Sequence, residues 1–457
     1  MERLETEWTR YPVLHFDLGN VKSEDVENVK DGLSRQLRQY ETIYGRNEES
    51  NSFSSRMADL IANANTQTRQ QVVVLIDEYD APILEVIHDD KKREEIRRLL
   101  REFFSSLKTC YQHLRFVFLT GISMFSQLSI FSELNNLKII SSEGKYASIC
   151  GITLKELIQN FQYGINKFAD KFHCSTDEVV IKLKDAYDGY HFSEDSEGVF
   201  NPYSLMNAFD STKLGNYWFS SGTPRSLLEM LKKYKEVGKF DVEMIESSGP
   251  ISLAKFETPL ELQTGPMPLL YQAGYVTIKD YDPDTTQYIL GIPNSEVRVG
   301  LLQNLLPLYA DVDVADVDSA VSIASAALRK GDVDKAIQLF KSMLASIPYM
   351  KGDKDILADV ERTEAYYHRI FYFFFRTLNN EVNAEVRSAK GACDIVIKTP
   401  KYIYVVEIKI DSSADVALRQ IEENGYAAPY LTDGRQVIKL GINFSTETRT
   451  VSDWEQA

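Results

Sequence analysis

Between residues 393 and 410 the sequence reads CDIVIKTPKYIYVVEIKI, two runs rich in β-branched and aromatic residues on either side of Thr399-Pro400-Lys401. The pattern predicts a hairpin turning at 399–401. If residues 398 and 402 pair across the turn, Asp394 lies opposite Val406 and within one place of Glu407. Alternation puts Glu407 and Lys409 on one face of the second strand with Val405, and Val406, Ile408 and Ile410 on the other. Two carboxylates and an ammonium then converge. Such a set suits phosphodiester hydrolysis: Asp394 and Glu407 are hard oxygen donors for Mg²⁺, the ion stabilises charge on the phosphate, and Lys409 positions or activates the water. Amphipathic hairpins also carry Asp, Glu and Lys on a solvated face, and the spacing alone does not separate the two readings.

A second place for chemistry is VVVLIDEYD, residues 72–80, an apolar strand running into Asp77 and Glu78. In sites that hydrolyse nucleoside triphosphates, an Asp so placed holds Mg²⁺ and a Glu polarises the attacking water, while a Gly-rich turn ending in Gly-Lys-Ser/Thr cradles the phosphates. Gly-Lys occurs twice, as Gly144-Lys145-Tyr146 and Gly238-Lys239-Phe240, with neither Ser nor Thr following and no Gly five residues upstream. This sequence has the carboxylates and lacks the cradle. Thr120, at the end of RFVFLTG, is expected at a neighbouring strand end as a polar sensor beside Asp77 and Glu78. A Rossmann-like sheet with polar strand ends accounts for these residues about equally well.

The elements that must position these groups follow from bulk properties and periodicity. At 457 residues and 44% hydrophobic content the chain should form two to four domains. Four cysteines without a Cys-x-x-Cys argue against a disulfide framework or a cysteine-rich zinc site and for a reducing cytoplasm. His173 and Cys174 are adjacent and point to different faces, and no His-Glu-x-x-His occurs. The start of the sequence lacks a signal-peptide pattern, and no apolar run approaches the roughly 18 residues that span a bilayer, so membrane insertion is not expected. A net charge of -16 works against generic nucleic-acid binding, and contact with DNA must be local. The basic cluster KKREEIRRLLR (91–101) predicts a helix with Arg93, Arg97 and Arg101 at four-residue spacing and Glu94 paired with Arg98, a solvated face in preference to a DNA-contacting stripe.

Strand-like YPVLHFDL, QVVVLIDEYD and RFVFLTG, separated by helical segments, predict a parallel sheet over the first 150 residues. Farther on, PMPLLYQAGYVTI, KDYDPDTTQ, YILGIPN and SEVRVGLLQNLLPLY predict helix, strand, turn, strand and a helix beginning at Ser295. This is a winged-helix-like order, whose tip carries Asp280, Asp282 and Asp284 and so repels phosphate; a lid is the better reading. Thr223-Pro224 predicts a helix start with Arg225 just inside, facing solvent in preference to a nucleotide. ALRKGDVDKAIQLFKSMLASIPY (327–349) looks like one helix-turn-helix unit without a second copy, hence a connector.

The stretches FLTGISMFSQLSIFSELNNL (118–137), YDGYHFSEDSEGVFNPYSLMNAF (187–209) and NYWFSSGTPRSLLEML (216–231) together resemble the AAA-ATPase-like family of prokaryotic proteins commonly followed by a PD-(D/E)XK nuclease domain. The resemblance covers nearly the whole chain, and Asp394 with Glu407-Ile408-Lys409 matches the nuclease pattern. It implies an α/β chain: a parallel-sheet P-loop-type ATPase core over 1–150, a helical and winged-helix-like lid over 151–310, a helical connector over 311–354 and an α/β PD-(D/E)XK nuclease-like domain over 355–457. In the family a strand and a Gly-Lys-Ser loop precede the segment matching YPVLHFDL, so the cradle would have lain upstream of Met1. Asp77 and Glu78 then end a Walker B strand whose ATP binding is impaired, and the sheet edge left open favours self-association. In relatives the helix matching ALRQIEENGYA (417–427) supplies a Gln beside the site, here Gln420, and the helix ERTEAYYHRIFYFFF offers Glu364 or, second, Glu361. The family usually has Gly-Arg before the Asp, where this chain has Gly391-Ala392-Cys393, and residues 391–457 hold 7 Lys/Arg against 10 Asp/Glu, a net of -3. The expected function is a metal-dependent nuclease fused to an ATPase-like module. The alternative is a non-enzymatic interaction protein that keeps the folds after both sites have decayed.

Overall fold

The computed structural model describes residues 8–86, 89–122, 137–220, 250–252, 265–310, 314–345, 381–388, 391–448 and 450–457, with the single positions 231, 234, 245, 255, 371, 374 and 375. The chain opens with β1 (Val13–Asp17), α1 (Val26–Tyr44), α2 (Phe53–Thr68), β2 (Val72–Asp77), α3 (Ala81–Leu84), α4 (Asp90–Thr109) and β3 (Leu114–Leu119). The long helices start at polar caps: the side chains of Asp25, Ser52 and Asp89 accept N–H groups of Asn28, Ser55 and Lys92. The three strands form the expected parallel sheet, in the order β1-β2-β3, with Asp17 beside Asp77 at the carboxyl end.

The chain continues through β4 (Ile152–Thr153), α5 (Leu154–Asn160), α6 (Gln162–Phe172), α7 (Thr176–Tyr187), β5 (Val199–Phe200), α8 (Pro202–Ser211) and α9 (Tyr217–Ser220). Then come β6 (Ile251–Ser252), α10 (Met267–Gln272), β7 (Thr277–Asp282), β8 (Gln287–Gly291) and α11 (Ser295–Ala310), the expected order of helix, strand, turn, strand and helix. Asp282 is used inside the turn, accepting from Asp284 N (2.9 Å) and Thr285 Oγ1 (2.7 Å), which lowers its pKa.

These elements belong to two compact units, one of residues 1–153, 190–199 and 224–292, the other of 154–189, 200–223 and 293–457. In the first, Leu14, Phe16, Val72, Val74 and Ile76 are buried, and Phe16 meets Phe103 of α4 edge to face at 5.4 Å. The basic helix behaves as expected: Ile96, Leu99, Leu100, Phe103 and Phe104 are buried, while Arg93 pairs with Asp90, and Glu94 with both Arg97 and Arg98.

The second unit holds α12 (Val314–Leu328), α13 (Val333–Ala345), β9 (Glu381–Ser388), β10 (Gly391–Lys398), β11 (Tyr402–Ile410), α14 (Ala414–Glu423), β12 (Gln436–Ser445) and β13 (Thr450–Gln456). Its five strands lie in the order β13-β12-β11-β10-β9; β11 and β12 run parallel, and the other neighbours are antiparallel. The helices read as a connector contribute to this core. Phe340 of α13 meets Phe444 of β12 edge to face at 6.0 Å and Phe371 likewise at 5.1 Å, and Tyr404 Oη donates to Leu328 O at 2.6 Å. A separate buried cluster joins Ile421 of α14 to Val396, Ile403, Val405 and Tyr426. With helices on both sides of it, β11 is buried from Ile403 through Ile408.

The hairpin register differs by one from the expected pairing. Lys398 pairs with Ile403, and Thr399 joins the ladder, its N–H donating to Tyr402 O (2.8 Å) while its Oγ1 accepts the Tyr402 N–H (3.0 Å). The turn shrinks to Pro400-Lys401, and the next rung beyond Ile395–Val406 brings Asp394 to Glu407 itself. Among the described residues no helix is long and apolar enough to cross a membrane.

Candidate active site

Asp394, Glu407 and Lys409 come together on β10 and β11. The Asp394 N–H points to Glu407 Oε2 at 3.5 Å, Lys409 Nζ donates to Glu407 Oε1 at 3.3 Å, and Asp394 Oδ2 accepts the Ile408 N–H at 2.7 Å. The solvated-face reading does not hold here, because Glu407 is 1% exposed and the Lys409 side chain 21%. Burial, then the charge of Asp394, push the Glu407 carboxyl up to about 7, against the pull of Lys409.

Cys393 explains the departure at 391–393. Its thiol is buried against the Val406 carbonyl (3.3 Å), and burial with the nearby Glu407 and Asp394 charges pushes it up to about 12. It is a neutral packing residue, poorly suited to be a nucleophile.

The floor of the site comes from β12, where Gly441 stands in register with Glu407 and Asn443 with Lys409. A Cβ at Gly441 would run into the Ala414 carbonyl and stand 3.0 Å from the Leu418 nitrogen, so the glycine lets α14 lie directly on the sheet beside the carboxylate. Nothing in the sequence pattern singled out Gly441 or Asn443. Gln420 is half-buried on α14, and its carboxamide makes no hydrogen bond to Asp394, Glu407 or Lys409. Glu364 and Glu361 lie outside the described residues, as do Arg225 and residues 123–136.

Among the described residues no group of three or more His, Cys, Asp and Glu side chains is arranged to hold a metal. Asp394 and Glu407 do fit a divalent cation of the hard, oxygen-seeking kind, which keeps several waters when only one or two carboxylates bind it. Burial first, and then the charge of Asp394, raise Glu407, and such an ion would offset both.

The strand-end carboxylates of the first unit also meet as expected. Thr120 Oγ1 donates to Asp77 Oδ1, and Glu78, at φ 48°, turns its carboxylate onto Gly19. Burial, followed by the charges of Asp77, Asp17 and Asp80, raises the Glu78 pKa. Two members escaped sequence reasoning. Asp17 is held by Asn20 Nδ2 at 2.5 Å, and buried Asp80 accepts the Ile122 N–H at 3.2 Å. LHFDLG had the signal for Asp17, an apolar run ending in a carboxylate as at Asp77.

Comparison with known proteins gives matches at both ends. Residues 1–131 match the family described as "Predicted AAA-ATPase", and residues 362–454 match the PD-(D/E)XK nuclease superfamily. Over 450 residues, 97% of this chain and 83% of the relative, the sequence is 30% identical to the "Uncharacterized protein in vnfD 5'region" of Azotobacter chroococcum mcd 1. No solved structure matches.

Proposed function

Because this chain belongs to the family that joins an AAA-ATPase-like region to a PD-(D/E)XK nuclease superfamily domain, we propose that its C-terminal sheet carries a Mg²⁺-dependent nuclease site acting on DNA. The observation that carries this reading is the convergence of Asp394, Glu407 and Lys409. Asp394 and Glu407 hold the cation, which supplies charge stabilisation at the phosphate. Lys409, drawn to Glu407 Oε1, keeps its ammonium beside the carboxylates, where it orients water against the phosphate. Burial of Glu407 limits competing bulk water at its carboxylate. Gln420 is the candidate for a further contact to substrate from α14, and Glu364 for a further carboxylate. The four free cysteines accord with a cytoplasmic setting.

On the same reading β1, β2 and β3 are a P-loop-type core, with Asp77, Glu78 and Thr120 as its Mg²⁺ and nucleotide residues, and 267–310 is a winged-helix-like part of the lid. ATP binding by this chain is weak, because the sequence contains no Gly-Lys-Ser/Thr turn to supply backbone N–H groups and a lysine. Calorimetric titration with ATP and Mg²⁺ should give little or no heat; a low-micromolar affinity lost in Asp77→Ala would refute this.

The nuclease reading is tested on the full chain. Mg²⁺ or Mn²⁺ should raise the melting temperature and support DNA cleavage. Glu407→Gln should abolish both effects, whereas Lys409→Ala should abolish cleavage and keep the metal-induced shift. A wild-type chain with neither effect on varied DNA substrates would favour the interaction-protein alternative.

A further inference from the structure

The two residues of β12 that stand beside Glu407 and Lys409 are Gly441 and Asn443. Partners in register on adjacent strands project to the same face, so the Asn443 side chain shares the α14 side with the carboxylate and the ammonium. Asn443 is 5% exposed, and both ends of its carboxamide are engaged. Its Oδ1 accepts the Ser412 N–H at 2.9 Å, its Nδ2 donates to Ser452 Oγ at 2.9 Å, and Ser452 Oγ donates to the Asn443 carbonyl at 3.1 Å. Asp453, next along β13, accepts the Ala414 N–H at 3.2 Å. Together these bonds tie the corner between β11 and α14 to β12 and β13.

An Asp at 443 would accept the same Ser412 N–H, and the Ser452 hydroxyl can turn to donate to it. The sequence has the neutral amide instead. A carboxylate there, about one strand spacing from Lys409 at roughly 4.8 Å between backbones, would offer the ammonium a second anion. The ammonium bonds Glu407 Oε1 at 3.3 Å, back along its own strand and away from the corner.

We propose that Asn443 is a positioning residue of the site: its neutral carboxamide fixes the β11–α14 corner without competing for Lys409, and so leaves the ammonium with Glu407. The consequence for cleavage rests on the nuclease reading; the placement of Lys409 does not.

The test uses three full-length variants and two readouts. Ser452→Ala removes the amide's hydrogen bond to Ser452 without adding a charge, whereas Asn443→Asp adds the charge and keeps a Ser452 hydrogen bond in the reversed sense. Asn443→Ser removes the carboxamide and stays neutral. A brief pulse of acetic anhydride, read by mass spectrometry at Lys409 against the other lysines, reports the ammonium's surroundings without requiring activity. Asn443→Asp should slow Lys409 labelling several-fold, and should lower kcat for DNA cleavage by about ten- to a hundred-fold with KM and the metal-induced melting shift close to wild type. Ser452→Ala should match wild type in both readouts. Asn443→Ser should melt lower yet label Lys409 at the wild-type rate. Wild-type labelling in Asn443→Asp, or equal slowing in all three variants, would overturn the proposal. A wild-type chain that does not cleave DNA would remove the nuclease reading, and the labelling pattern would still decide whether Asn443 leaves Lys409 with Glu407.

Discussion

Glu407 sits where a carboxylate is least comfortable, buried, beside Asp394, with the Lys409 ammonium in reach. Its pKa of about 7 in the folded chain, against an ordinary value of 4.5, means that folding binds the proton more tightly than the unfolded chain does. The sign follows: this group's favourable contribution is complete below about pH 4.5 and is lost as pH rises through 7. Glu407→Gln removes the titration and keeps the shape. Without divalent metal the variant should therefore gain on wild type as pH rises, from little at pH 4 to as much as about 3 kcal/mol at pH 8. Urea midpoints at a series of pH values measure this, and a difference that stays flat with pH would contradict it. With Mg²⁺ present the order should reverse at pH 8, since the ion binds the carboxylate and not the amide.

At the scale of elements, what could be read from the sequence was what local pattern dictates. The apolar run into Asp77 and the helix from Ser295 form where periodicity puts them, and the hairpin turns within Thr-Pro-Lys, at Pro400-Lys401. The register slipped by one because Thr399 closes a rung through its side chain and backbone, a choice that a turn-centred count does not see. The burial of Glu407 was invisible for a different reason. It depends on β12, which pairs in parallel after the α14 crossover, and on α14 lying against Gly441. Filling that contact is a direct probe: Gly441→Ala should destabilise the chain by about 1–3 kcal/mol, as overpacking does, and weaken the metal-induced shift by lifting α14 from the sheet. Wild-type stability in the variant would show that α14 yields freely there.

The α12–α13 pair makes a related point. A connector has no reason to bury Phe340 among Phe371, Phe374 and Phe444, or to accept the Tyr404 hydroxyl at Leu328. The sequence shows one helix-turn-helix unit at 327–349 but not the sheet face that it covers. A fragment starting at 355 leaves that face open, and should give a broad, weakly cooperative melt, whereas one starting at 314 should unfold in a single sharp transition. Equal cooperativity in the two fragments would restore the connector reading.

For the whole molecule, charge decides how the proposed nuclease site could meet DNA. The chain carries a net charge of -16, and its basic helix spends Arg93, Arg97 and Arg98 on neighbouring carboxylates. Counterion release, which drives tight sequence-independent binding, scales with the number of phosphates neutralised at about -0.9 per contact in the slope of log K against log salt. A local contact at the Lys409 site, flanked by a sheet of net charge -3 over residues 391–457, engages few phosphates. Full-length Glu407→Gln, which on the nuclease reading does not cleave, should therefore bind duplex DNA weakly, with a slope of only about -2 to -3. A slope near -8, measured by fluorescence anisotropy across a salt series, would mean a long basic track and would contradict the local mode.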